Sequence, residues 1–132
     1  EGREGIKNIY ADTLQAKTDI VTFTNPTDIN LSLGKTFNDQ YVSKRVQRHL
    51  NLFAIGPDDK IGKQAMNEGR NVRRTVRLFP KDLYKIANEI LIYDNKVAMY
   101  SVDDEMGIII ENNSIAETMK SIWKMAWDKF EK

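Results

Sequence analysis

The sequence predicts an α/β fold in which helices cover both faces of a mixed β-sheet. Helix and strand patterns alternate up to Pro80, and consecutive strand patterns then precede one last helix. Alternation favours parallel strands with crossover helices, whereas consecutive strands favour antiparallel pairing. The chain has 132 residues, of which 41% are hydrophobic and 30% charged, which predicts a single globular domain over residues 1–132.

The start of the chain predicts one helix and one strand. From Gly5, apolar residues recur at the spacing of a helix face as far as Leu14. The stretch "DIVTFTNP" is rich in β-branched residues, which indicates a buried strand that ends at Asn25-Pro26. Residues 27–36 are turn-like.

Two further helix–strand pairs follow. A helix is predicted from Phe37 to Leu50, before the strand "LFAIG". Asp58 or Asp59 is expected to cap a third helix, and Gly69 to end it in a left-handed conformation. The stretch "RRTVRLF" then predicts the third strand.

The second half of the chain predicts antiparallel strands. Residues 90–93, "ILIY", are apolar on both strand faces, as is typical of a central strand. Asp94-Asn95 suits a two-residue turn because both residue types tolerate positive φ. Residues 97–101 return from this turn, and "GIIIE" supplies another strand.

The last helix carries an apolar stripe. Ser114 and Glu117 are expected to form a capping box at its start. The apolar residues that follow at helical spacing are Ile115, Met119, Ile122, Trp123, Ala126, Trp127 and Phe130. Such a stripe predicts core packing.

Overall charge and composition exclude several classes of protein. The net charge of +1 gives no general field for nucleic acid, and there is no apolar run of the ~20 residues that a membrane span needs. The chain has no cysteine, and its one histidine, His49, stands beside basic residues. We therefore expect no catalytic residue, no metal site, no cofactor and no membrane association, and the composition is compatible with a cytoplasmic protein.

Six of the seven arginines fall between residues 45 and 77. Guanidinium groups bind carboxylates and phosphates through paired hydrogen bonds, so their convergence would form an anion pocket at the strand ends. The candidate ligand-binding residues are Asn25, Tyr41, Lys44, Arg45, Arg48 and Arg77. The alternative is a solvated face with salt bridges and a turn residue at Asn25, with Tyr41 in the core.

The hairpin "IANEILIYDNKVAMYS" resembles the strand pair that carries the HxKxxxxD motif of phospholipase D-type enzymes. Only Asp94 is kept, because Ala87 and Glu89 stand where that motif has its histidine and lysine. Alanine has no nucleophilic atom, and glutamate repels a phosphate. The resemblance therefore implies a phospholipase D-like half without its catalytic motif.

Three segments, "GIKNIYADTL", "EILIYDNKVAMYS" and "GIIIENNSIAETMKSIWKMAW", resemble the C-terminal effector region of TrmB-type winged-helix prokaryotic regulators, a degenerate phospholipase D-like domain. The resemblance implies a non-catalytic domain that senses a ligand, dimerises, or does both. The implied partners are a second copy and a sugar or anionic metabolite, with DNA bound only through a winged-helix domain absent from this sequence. The chain begins without methionine, so we expect a fragment of a longer protein. The alternative is a nucleic-acid-binding domain or a phospholipase D-like enzyme of unrecognised activity.

Overall fold

The computed structural model describes residues 2–25 and 33–130, apart from the side chain of Arg70. The predicted order of helices and strands is confirmed. The helices are α1 (Gly2–Thr13), α2 (Lys35–Gln47), α3 (Lys60–Glu68) and α4 (Asn113–Lys129), with a 3₁₀ turn at Gly69–Val72. The strands are β1 (Ile20–Phe23), β2 (Leu52–Pro57), β3 (Arg74–Phe79), β4 (Glu89–Tyr93), β5 (Lys96–Ser101) and β6 (Met106–Glu111).

The strands form one mixed sheet in the order β3-β2-β1-β4-β5-β6. β1, β2 and β3 are parallel, and every pairing from β1 through β4 and β5 to β6 is antiparallel. Parallel crossovers are right-handed, so α2 and α3 lie on the same face of the sheet. The predicted α/β class, with helices on both faces, is confirmed.

Two apolar clusters stabilise the two faces. On one face, Ile6 and Tyr10 of α1 pack with Tyr41 of α2 against the sheet. On the other face, Trp123 and Trp127 of α4 pack against the sheet. Within the described residues, three helices therefore cover one side of the sheet and one helix covers the other.

Helix α4 crosses its face of the sheet diagonally. It begins directly after the edge strand β6, Trp123 Nε1 donates to the carbonyl of Thr22 in β1, and Trp127 packs against Phe53 of β2. Because one side of the helix faces the sheet, only part of the predicted apolar stripe is core. Ile115 and Ile122 are 42% and 45% exposed, so the prediction that they are core was wrong.

The cap of α4 differs from the expected one. Asn112, two residues before Ser114, is the N-cap, and its side chain accepts a hydrogen bond from the Ile115 N–H at 2.9 Å. Ser114 lies inside the first turn, because α4 already begins at Asn113. The predicted capping box of Ser114 and Glu117 was therefore wrong by two residues.

The turn predictions had mixed outcomes. Asp59 caps α3 and Asp94 has a φ of 50°, both as predicted. Gly69 instead has a φ of −58°, and Arg73 is the left-handed residue. Gly69 is required for space, since an added Cβ would lie 2.2 Å from the Arg74 carbonyl oxygen. In the turn-like stretch 27–36, residues up to 32 lie outside the described ones, and α2 begins at Lys35.

Candidate ligand-binding pocket

A cavity of about 480 Å³ lies between α2 and α3, over strands β1 to β3. Its floor includes Thr22 of β1, Ala54 of β2 and Val76 of β3, which alternate with residues facing α4. The described lining residues of the two helices are Lys35, Asn38, Asp39, Tyr41, Val42 and Arg45 of α2 and Ile61, Gly62, Gln64, Ala65 and Glu68 of α3. This volume is typical of a small-molecule site.

Small residues on β2 and α3 create the space. Ala54, Gly56 and Ala65 border the cavity without filling it. Gly62 lets α3 approach the end of β2, because an added Cβ would lie 2.2 Å from the Pro57 carbonyl oxygen. Small residues thus leave the space open on the β2 and α3 sides, while larger side chains such as Tyr41 and Arg45 line the rest of the cavity.

Arg45 borders the pocket, but most of its guanidinium is bound to the protein. The residue is 1% exposed, and its Nη1 donates to the carbonyls of Leu50 at 3.0 Å and Arg73 at 3.1 Å. Its Nη2 donates to the Val72 carbonyl at 2.9 Å. Burial lowers the pKa of Arg45 to about 10. Only Nε is buried without a hydrogen-bond partner, so Arg45 is mainly a brace between α2 and the start of β3.

The other cations at the pocket are also engaged. Arg74 donates from Nε and Nη2 to the Ala65 carbonyl at 3.3 and 2.9 Å, and burial lowers its pKa. Lys35, at the exposed rim, forms an ion pair with Asp39 at 2.7 Å. Lys35, Arg45 and Arg74 therefore already have internal acceptors, which leaves little positive charge for an anionic ligand.

A buried carboxylate stands at the carboxyl end of β1. Glu89 is 3% exposed, borders the pocket, and accepts the backbone N–H of Asn25 at 2.6 Å. The side-chain oxygen of Asn25 is buried without a hydrogen-bond partner. Its neighbour Thr24 lines the pocket, so this unpartnered acceptor oxygen belongs to a residue next to the pocket.

Tyr41 connects the pocket to α1. Its hydroxyl donates to Thr13 Oγ1 at 2.7 Å, because the Thr13 hydroxyl itself donates to the Tyr10 carbonyl. The Tyr10 hydroxyl bonds to that of Tyr100, and burial raises the pKa of both Tyr10 and Tyr41. These hydroxyls remain protonated at neutral pH and are positioned by their neighbours.

The six predicted site residues do not converge. Tyr41 and Arg45 border the pocket, and Asn25 lies next to it. Lys44 and Arg48 are exposed, and Arg48 donates to the Leu14 carbonyl at 2.9 Å.

Arg77 points to the opposite face of the sheet. Its guanidinium lies 4.0 Å from the ring centre of Trp127 and donates to that residue's carbonyl at 2.7 Å. The expected anion pocket is not formed, because the guanidiniums satisfy carbonyls in separate places.

Sequence reasoning missed the threonine and carboxylate floor. Thr22 and Thr24 interrupt an otherwise apolar stretch at a spacing of two, which places both on one strand face. Polar residues at that spacing in a buried strand were the available signal. In the sequence, Glu89 stood out only as a departure from the phospholipase D-type pattern. Asp94, the one residue of that pattern that is kept, accepts the backbone N–H groups of Lys17 and Thr18 at the β4–β5 turn.

Within residues 2–25 and 33–130, no group of three or more acidic or histidine side chains is arranged to hold a metal ion. In the same part of the chain, no helix has the length and apolarity needed to cross a bilayer. The lining residues that the structure describes include no serine, cysteine or histidine.

Comparison with known proteins reveals a shared architecture. No protein-family model and no curated protein sequence matches the chain. Among solved structures, TrmBL2, an archaeal chromatin protein described as showing a novel mode of DNA binding, matches with a TM-score of 0.62 and 15% identity. The likeness is one of fold. It covers 96% of this chain and 51% of TrmBL2, so the chain spans about half the length of that protein. The phospholipase D-like part of the prediction stays a prediction.

Proposed function

We propose that this chain is the non-catalytic, ligand-sensing effector domain of a TrmB-type prokaryotic transcriptional regulator. The observation that carries the proposal is the pocket between α2 and α3, set in a fold shared with part of a DNA-binding protein. Ligand binding would favour one arrangement of the domain and so change the geometry of an attached DNA-binding region. In this proposal the regulator is a cytoplasmic homodimer, which suits palindromic operators.

The proposed ligand is a neutral, hydroxyl-rich molecule such as a sugar. Arg45 and Arg74 are bound to carbonyls and Lys35 is paired with Asp39, which disfavours an anionic metabolite. Hydroxyl groups both donate and accept, so a sugar bound at the carboxyl end of β1 would supply the donor that the unpartnered Asn25 oxygen lacks. Ala54, Val76 and Leu91 supply the apolar surface that the hydrocarbon face of a sugar contacts.

Two observations favour sensing over the alternatives. The described lining offers hydroxyls and carboxylates but no nucleophile–base pair of the serine or cysteine type, which supports a non-catalytic role. Four of the arginines that suggested nucleic-acid binding instead donate hydrogen bonds to protein carbonyls. They are Arg45, Arg48, Arg74 and Arg77.

The test is a thermal-shift screen with neutral sugars and sugar phosphates, followed by calorimetric titration of the compounds that stabilise the chain. A neutral sugar at a hundredfold excess over its dissociation constant should stabilise the fold by about 2.7 kcal/mol. Ala65→Leu, which fills the cavity from α3, should abolish the shift, and Asn25→Ala should weaken it. Ala87→Leu, at an exposed position outside the pocket, is the matched control.

Three results would overturn the proposal. Binding that survives Ala65→Leu would place the ligand elsewhere. Turnover of a phosphodiester by the purified chain would make it an enzyme. Affinity for DNA that falls steeply with added salt would make the chain itself a nucleic-acid binder.

A further inference from the structure

Strand β6 leaves one edge of the sheet open. Its inner side pairs with β5, and it is the last strand of the sheet in the described part of the chain. Its six residues, "MGIIIE", contain no proline, lysine or arginine. Such an edge presents a row of backbone N–H and C=O groups that can pair with another strand.

Strand β6 exposes apolar side chains on both faces of the sheet. Ile108 lies opposite Met99, on the face of α4, and is 52% exposed. Ile109 lies opposite Ala98, on the face of α1, and is 41% exposed. Met106 is 55% exposed. An open edge with exposed isoleucine on both faces promotes association unless a partner covers it.

The opposite edge strand, β3, discourages pairing. It carries Arg74 and Arg77, and Pro80 follows it immediately. Charged residues and proline are common protections of an exposed edge. The contrast identifies β6 as the edge suited to a partner strand.

We infer that β6 pairs antiparallel with β6 of a second copy of this chain, with Ile109 opposite Ile109 across a two-fold axis. Directly opposite residues of an antiparallel pair point to the same face of the sheet. A two-fold axis perpendicular to the sheet therefore places one residue opposite its own copy. In this register Ile108 faces Ile110, and Glu111 faces Gly107. No carboxylate faces another.

The symmetric register centred on Ile108 is less favourable. Centring the pair on Ile108 would place Glu105 opposite Glu111, and like charges directly opposite each other destabilise a strand pair. Exposed Ile115, in the first turn of α4 directly after β6, lies on the same face as Ile108. A stable interface buries about 800 Å² per partner. One strand pair alone is small on this scale, so the dimer should depend on protein concentration.

This inference deepens the homodimer of the proposed function and does not depend on the ligand of the pocket. Loss of ligand binding would leave the strand pairing intact, and failure of the pairing would leave the pocket intact.

The sharpest test uses single cysteines, because the chain contains none. Ile109→Cys should form a disulfide-linked dimer on oxidation with diamide more readily than any other β6 position, since Cβ atoms of directly opposite residues, about 4.5–5.5 Å apart, come nearest to the roughly 3.5–4.5 Å that a disulfide spans. Ile108→Cys is the matched control. Its thiol and that of the second copy would be diagonal neighbours about 7–8 Å apart. This variant should therefore stay largely monomeric. Cross-linking of Ile108→Cys alone, or of neither variant, would overturn the inference.

Sedimentation velocity provides an independent test. The wild-type chain should shift from monomer to dimer as its concentration rises, and Ile109→Lys or the milder Ile109→Thr should keep it monomeric. Thr75→Lys, on the exposed edge of β3, should leave the dimer unchanged. Circular dichroism checks that each variant is folded. A monomeric wild-type chain at every concentration, or a dimeric Ile109→Lys, would contradict the pairing.

Discussion

The β3 side and the β6 side of the sheet use charged and apolar residues in opposite ways. On the β3 side, Arg45, Arg74 and Arg77 turn their guanidiniums to main-chain carbonyls inside the fold. On the β6 side, Ile108 and Ile109 stand at the surface. Residue type alone therefore does not reveal the role of a side chain. That role also depends on which backbone groups nearby need hydrogen-bond partners.

Carbonyl groups explain the β3 side. The last carbonyls of a helix or 3₁₀ turn have no N–H partner within that element, and a guanidinium offers five donors in one plane. Arg45 donates to the carbonyl of Val72, the last residue of the 3₁₀ turn, and to that of Arg73, which also accepts the Leu52 N–H. Arg45 thereby fixes the entry of the edge strand while it closes one wall of the pocket.

The largest expected effect is the loss of this brace. Arg45→Ala removes three hydrogen bonds from a charged donor and opens a cavity at a residue that is 1% exposed. Bonds to charged groups contribute about 1.5–3 kcal/mol each but are not additive, so we expect a destabilisation of about 3 kcal/mol or more. Urea denaturation measures this free energy of unfolding.

Arg48→Ala is the matched control, because Arg48 is exposed and donates one hydrogen bond to the Leu14 carbonyl. It should cost less than about 1 kcal/mol. Similar losses in both variants would show that the three carbonyl contacts of Arg45 stabilise the fold no more than the single exposed contact of Arg48, and the contrast between the two sides of the sheet would fail.

The fold was predictable because local patterns and topology agreed. Periodicity identified the elements, and the buried strand β4 was recognised from apolar residues on both faces. The position of α4 was not predictable, since a stripe of apolar residues does not encode the angle at which a helix crosses a sheet. Ile122 therefore looked like core and lies at the surface.

The site was harder to predict than the fold. A group of arginines in a sequence suggests an anion-binding site. Arg45 instead donates hydrogen bonds to backbone carbonyls that lie 5 to 28 residues away in the sequence. Glu89 and Asn25 meet across 64 residues, a distance that no local pattern reports.

A middle-sized effect is expected at the start of α4, on the β6 side. Asn112→Ala removes the side-chain acceptor of the Ile115 N–H and should cost about 1 kcal/mol. Ser114→Ala, inside the first turn, should change the free energy of unfolding by only a few tenths of a kcal/mol. Thermal unfolding of both variants distinguishes the caps. A larger loss at Ser114 would restore the sequence-based capping box.

The smallest expected effect concerns pH and the contact between α1 and the β4–β5 turn. Burial disfavours the charged form of Asp12, but hydrogen bonds from Tyr93 and Lys96 outweigh it and lower the pKa of Asp12. Since the folded state holds this proton less tightly than the unfolded one, the stabilisation is present above about pH 4, the ordinary pKa of aspartate, and disappears at lower pH.

Asp12→Asn should therefore be less stable than the wild type near neutral pH, by less than about 1 kcal/mol because the ion pair is partly exposed. The gap should close as the pH falls below about 4, which urea denaturation across a pH series measures. Asp103→Asn, at an exposed turn, is the matched control for the loss of one negative charge. A gap for Asp12→Asn that stays constant with pH would mean that the carboxylate contributes packing rather than charge. The contact of α1 with the β4–β5 turn would then owe nothing to charge, and its contrast with the arginine-braced β3 side would become sharper.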